Sequence, residues 1–163
     1  MFILSEVGYS MAKHVGIKLP DDLLAVLKKG ETVGVLATFS EKGLPNTTPI
    51  QCIYPKGLES ILISIHKDHI GYHNMVWQKK VMFCFLDEGN VAYSVLGRAG
   101  VVRAPSSVHP LMNVVRIDII DIKSDRSPLT KVDSGARWSY ISQEAKELSQ
   151  ALMDEIKELA EVL

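Results

Sequence analysis

Short clusters of turn-forming residues cut the middle of the chain into β-prone runs, and only one short helical stretch falls between them. Ser40-Glu41-Lys42-Gly43, Pro55-Lys56-Gly57 and Asp87-Glu88-Gly89-Asn90 carry the Gly, Pro, Asn and Asp that tight turns use. Around them lie six runs rich in β-branched and apolar residues: Thr32–Phe39, Pro45–Tyr54, Ser60–His66, Val81–Leu86, Val91–Arg103 and Asn113–Lys123. A parallel α/β sheet would need a helix after nearly every strand. Six hairpin-spaced strands with one intervening helix instead predict a mainly β fold, an antiparallel sheet closed or nearly closed into a barrel. No G-x-G-x-x-G follows the first strand, so a dinucleotide-binding α/β domain is not indicated.

The strands carry further detail. Pro45 and Pro49 cannot donate to a ladder, so one side of their strand should be unpaired. Val81 to Leu86 is apolar at every position, which predicts cover on both faces. Gly97 and Gly100 mark a bend or a close backbone approach. Val115, Ile117 and Ile119 share one phase, whereas Ile120 and Ile122 take the other. A slip of one residue in a period of two predicts a β-bulge.

Three helices are expected. Leu19 to Lys29 opens on Pro20, Asp21 and Asp22, which suit the positive end of the helix dipole, and closes on Gly30. Asp68 to Lys80 forms the short middle helix, with Asp68 as its N-cap. From about Ser142 onward, Ile141, Ala145, Leu148, Leu152, Ile156, Leu159 and Leu163 recur at spacings of three and four, one helical face. Ser124 to Ser139 reads as a long polar loop. The expected organisation is a single domain over residues 1–163, with a core at about 19–123 and a C-terminal helical extension at about 140–163.

Composition narrows the partners. A net charge of −1, from 18 basic and 19 acidic residues, supplies no general field for nucleic acid or an anionic membrane, so any anion site must be local. Arg98, Arg103, Arg116 and Arg126 are dispersed rather than tracked along one surface. Cys52 and Cys84 read as buried reduced thiols, not as a disulfide framework. Residues 1–17 lack the apolar core of a signal peptide, and no apolar run approaches the roughly 18 residues of a membrane span. A cytoplasmic location is the expectation.

Chemistry concentrates where the third strand meets the middle helix, Ser64-Ile65-His66-Lys67-Asp68-His69-Ile70-Gly71-Tyr72-His73-Asn74. Free N–H groups at a helix start favour an anion. Lys67 adds a charge, and Ser64, His66 and His69 add hydroxyl and imidazole donors. An ordinary capped helix with polar residues on its solvent side accounts for the same stretch. His66, His69 and His73 could converge on zinc, but no Cys or Glu stands nearby to complete a site. In the second strand, Asn46, Thr47, Thr48, Pro49 and Ile50 could meet the polar rim of a heteroaromatic ring, although threonine is also a normal strand residue. Nucleophile elbow, P-loop, H-E-x-x-H and paired-Cys motifs are absent, and no catalytic residue can be named.

The order of these segments resembles the pyridoxamine 5'-phosphate oxidase-like FMN-binding split barrels. Thr32 to Thr38 followed by Gly43 to Pro49 resembles their first hairpin. Ile61 to Lys67, a helix containing Asn74, and Lys80 to Phe85 resemble their third strand, helix and fourth strand, and Val95 to Val102 their glycine-marked fifth. The resemblance implies a six-stranded split barrel that forms a homodimer and holds FMN at the subunit interface. It implies oxidoreductase chemistry with a small-molecule redox partner, and neither nucleic acid nor membrane. The implied cofactor-binding set is Thr47, Thr48, Pro49 and Ile50 near the ring, with Ser64, Ile65, His66, Lys67, His69, Tyr72 and Asn74 near the phosphate and following helix. Many members carry Lys or Arg three or four positions before the helix asparagine, where this chain has Ile70 and Gly71. A non-catalytic flavin- or haem-binding protein is the alternative.

Overall fold

Alternation of apolar and polar residues along each strand leaves one sheet face to bury, and an antiparallel sheet buries it by curling on itself. The computed structural model describes residues 13–163. In chain order these form β1 (Lys13–Gly16), α1 (Asp21–Lys29), β2 (Gly34–Phe39), β3 (Pro45–Ile50), β4 (Ile53–Lys56), β5 (Ser60–His66), α2 (Ile70–Gln78), β6 (Lys80–Asp87), β7 (Val91–Arg103), β8 (Met112–Ser124) and α3 (Gln143–Val162). All strand pairs are antiparallel. The sheet runs β3-β2-β6-β7-β8-β5-β4, with β1 added to β8, and curls into a half-barrel.

The described strands number eight rather than six. The run Pro45–Tyr54 is not one strand: it breaks at Gln51 and Cys52, so that β3 pairs with β2 and β4 pairs with β5. The remaining strand, β1, lies where no strand was expected. β3 and β4 are the two ends of the sheet path, and Pro45, Pro49 and Pro55 sit there, where a missing N–H leaves no ladder partner wanting.

The expected bulge is present. Leu96 faces Asp121 and Gly97 faces Ile119, which leaves Ile120 without a cross-strand partner. The extra residue turns Ile119 and Ile122 to the same core while Ile120 stays exposed. Gly97 marks the close approach: a Cβ there would lie 2.4 Å from Ile117 Cγ2. Gly100 has open space around it. The core holds Leu36, Ile63, Phe83, Phe85, Val95 and Ile117, with the Phe83 and Phe85 rings stacked 5.4 Å apart.

Other expectations need correction. β6 is covered on one face only in the single chain, since Met82 and Leu86 are exposed while Val81, Phe83 and Phe85 are buried. α2 starts after His69, whose ring caps it in place of Asp68, and it ends at Gln78 because Lys79 takes the left-handed conformation, φ 62°. Pro20 is the N-cap of α1 rather than a residue of its first turn. Cys52 and Cys84 are free thiols and only partly buried.

α3 packs on β4 and β5 through Met153, Ile156 and Leu159, which meet Leu62 and Val114 in a second apolar cluster. Ser142 caps it as expected, accepting from Ala145 N at 3.1 Å. Its apolar stripe is buried only in the second half; Ile141 is 97% exposed. Residues 125–142 form an irregular strap whose bonds to the sheet include Arg126 Nε to Asn90 O at 2.9 Å, Val132 N to Asn90 Oδ1 at 3.0 Å and Arg137 Nη2 to Asp87 Oδ1 at 3.1 Å. No helix of the described residues is long and apolar enough to cross a membrane.

Candidate functional site

The break between β3 and β4 opens a hollow where the two ends of the sheet meet. Ile53 N donates to Gln51 O at 3.1 Å and Ser64 N to Cys52 O at 3.0 Å, which turns the chain and presents Gln51 and Cys52 beside β5. The start of α3 closes the third side. The resulting cavity has a volume of about 350 Å³, within the range of small-molecule sites. Its walls are Thr48 to Cys52, Ser64 to His66 with His69, Met112 from β8, and Ala145, Leu148, Ser149 and Leu152 from α3.

Seven sequence-predicted residues line this space: Thr48, Pro49, Ile50, Ser64, Ile65, His66 and His69. Four do not. Thr47 is exposed and lies outside the lining. Lys67 is exposed, with its Nζ 3.6 Å from Asp68 Oδ1. Tyr72 lines a separate hollow with Met75, Lys79 and Arg98. Asn74 is buried beneath α2 and donates Nδ2 to Thr38 Oγ1 at 3.0 Å, a tie between helix and β2.

One feature of the cavity stands apart energetically. Ser64 is 4% exposed, yet its Oγ has no hydrogen-bond partner in the protein. A buried hydroxyl left unpaired costs about 1–3 kcal/mol. A ligand atom in the cavity would remove that cost. Thr48 Oγ1, by contrast, already accepts from Asn46 Nδ2 at 3.3 Å.

The two histidines are set by backbone donors. His66 Nδ1 accepts from Asp68 N, and His69 Nδ1 accepts from Gly71 N, both at 3.2 Å. Each ring therefore carries its proton on Nε2 when neutral. A longer approach of His66 Nδ1 to Asp68 Oδ2, 3.9 Å, would need a protonated Nδ1; the backbone bond is shorter and fixes it as an acceptor. Tyr72 N and His73 N donate to His69 O at 3.0 and 3.2 Å. The helix-start donors expected to be free are thus largely spent within the protein. Among the described residues no three His, Cys, Asp or Glu side chains converge to hold a metal.

Sequence reasoning missed Gln51, Cys52, Met112 and the α3 wall. The broken strand hid the first two, and the third comes from a distant strand paired to β5, where Met112 faces His66. The apolar stripe of α3 signalled burial but not the surface it would cover. Burial pushes the Cys52 thiol up to about 12, so it is not a thiolate nucleophile at neutral pH.

No curated protein shows significant similarity to the chain. Among solved structures, it resembles the "putative pyridoxamine 5'-phosphate oxidase" of Lactobacillus delbrueckii, with a TM-score of 0.57 and 23% identity over 68% of this chain and 98% of that one. HupZ of Group A Streptococcus superposes with a TM-score of 0.52 at 17% identity, covering 71% of this chain and 98% of that one. An F420 reductase does so at 0.54 and 14% identity, covering 64% and 98%. At these identities the likeness establishes a shared fold. The sequence profile described as pyridoxamine 5'-phosphate oxidase matches residues 19–148, from the start of α1 through the first turns of α3. The chain belongs to the pyridoxamine 5'-phosphate oxidase family.

Proposed function

We propose that this protein binds a flavin, FMN by its family resemblance, in the cavity between β3, β5 and α3, and uses it in oxidoreductase chemistry. The observation that carries this reading is the buried, unpartnered Ser64 hydroxyl in a cavity that gathers seven of the residues read from sequence. The lining suits a flat heteroaromatic group. Ile50, Ile65, Met112, Leu148 and Leu152 offer apolar contact for ring faces, while Ser64, Gln51 and the Nε2–H groups of His66 and His69 offer polar contacts for its edge and side chain. A bound flavin supplies hydride and single-electron transfer; the chain supplies position, hydrogen bonding and exclusion of water.

The homodimer belongs to the same proposal. Val35 and Phe39 on β2, Met82 and Leu86 on β6, and Ile120 at the bulge form an exposed apolar face of the sheet, the kind of patch that marks an association surface. A second copy would give β6 the cover on both faces that its sequence calls for.

Titration of the full-length protein with FMN, followed by quenching of flavin fluorescence, tests the reading. Saturable quenching is expected, and Ser64→Ala should weaken binding by about 0.5–1.5 kcal/mol, the net worth of one hydrogen bond. Absence of quenching by the unmodified protein contradicts it. A second reading is haem in the same cavity, since His66 and His69 line it; iron ligation through Nε2 would require that ring to give up the Nδ1 bond it accepts from a backbone N–H. Haem binding would reveal itself by a Soret band on addition of haemin.

A further inference from the structure

We infer that the cavity recognises the ring and polyol of a flavin but not its phosphate, so that riboflavin binds nearly as tightly as FMN; this rests on the flavin reading above. The lining groups are apolar or neutral hydrogen-bonding groups. Among the described residues none of the cavity walls is Lys, Arg, Asp or Glu. Residues 1–12 contain no Lys, Arg or His, so that segment has no basic side chain to add.

The groups that could substitute for a fixed cation are otherwise engaged. His66 and His69 hold their Nδ1 atoms against backbone N–H groups, which leaves only Nε2 of each ring for a ligand. Gly71, Tyr72 and His73 N–H groups at the start of α2 are bonded to His69, its ring or its carbonyl. Lys67 stands outside the lining, 45% exposed at the side chain, with Asp68 beside it to offset its charge. A dianionic phosphate entering this space would exchange water for a few side-chain donors, with no Lys or Arg in the lining to meet it. It is better left in solvent at the rim, where an exposed cation is worth little.

Ser64 Oγ is then a partner for the ring or polyol, which both ligands share. The experiment is a pair of fluorescence titrations of the full-length protein, one with FMN and one with riboflavin, repeated with Ser64→Ala. The expected result is dissociation constants within about threefold of each other, the scale of a solvated ion pair, and an equal loss for both ligands in Ser64→Ala. FMN binding more than about thirtyfold tighter, the scale of a charge-assisted phosphate contact, overturns the inference and leaves the flavin reading standing. A loss in Ser64→Ala confined to FMN does the same, because it puts the phosphate on Ser64. If neither ligand quenches, both this inference and the flavin reading fall.

Discussion

Arg103 Nη1, at the end of β7, lies 2.9 Å from Glu155 Oε1 on α3. The same carboxylate accepts from Ser107 N at 2.8 Å, from Ser107 Oγ at 2.7 Å, and from the Ser106 hydroxyl. Glu155 therefore bolts the second half of α3 to the β7–β8 connection, next to the apolar cluster of Leu62, Val114, Ile156 and Leu159. The first half of the same helix is a wall of the cavity.

Glu155→Ala should destabilise the protein by about 1–3 kcal/mol, because the buried Ser106 hydroxyl loses its acceptor and Arg103 and Ser107 lose their tie to α3. Denaturant unfolding checks this. A change under about 0.5 kcal/mol, the range of ordinary surface substitutions, would show that α3 is held by apolar packing alone.

Stability should fall steeply in acid. Burial alone would raise the Glu155 carboxyl, but hydrogen bonds from Ser106, Ser107 and Arg103 outweigh it and hold it below the usual range. Burial likewise opposes ionisation of Asp87, and bonds from Thr32, the Glu88 N–H and Arg137 overcome it. A carboxylate depressed in the folded state contributes its full stability above its unfolded pKa, about 4, and loses it as pH falls through the folded value. Unfolding measured from pH 6 downward should therefore steepen below about pH 4. The Glu155→Gln, Asp87→Asn double variant should show a shallower slope; equal slopes would contradict the assignment.

Gly97 and Gly100 should respond differently to alanine. At Gly97 the new Cβ meets Ile117 Cγ2 at 2.4 Å and Asp118 O at 3.0 Å, whereas at Gly100 it meets nothing within 4 Å. Gly97→Ala should cost about 1–3 kcal/mol, as overpacking does. Gly100→Ala should be neutral within about 0.5 kcal/mol. Thermal unfolding of the two variants separates them.

What the sequence made legible followed from short-range periodicity. The phase slip at Ile119 and Ile120 located the bulge, and the prolines of Pro45–Ile50 located a sheet edge. What it concealed depended on tertiary placement. The run from Ile50 to Tyr54 gave no sign that the chain crosses between the two sheet ends at Gln51 and Cys52. Lys67 and Asn74 looked like ligand groups because they flank the junction. Only the fold turns the first to solvent and the second onto Thr38. The α3 wall was invisible because an amphipathic stripe states that a helix packs, not where.

The exposed sheet face makes a prediction about assembly. Met82→Lys places a charge on the exposed face of β6, in line with Ala37 on β2 and Leu96 on β7. Light scattering should report a dimer for the unmodified protein and a monomer for the variant, with folding retained because Met82 is exposed in the single chain. A monomeric mass for the unmodified protein would remove the proposed interface.

The central claim, that the cavity between β3, β5 and α3 holds a flavin, is tested most directly by the visible absorption spectrum of the purified protein, recorded as isolated and again after incubation with FMN and removal of the excess. The prediction is the two flavin bands, retained through the removal step by the unmodified protein and reduced in Ser64→Ala. A protein that stays colourless after FMN, or that shows a Soret band instead, contradicts it.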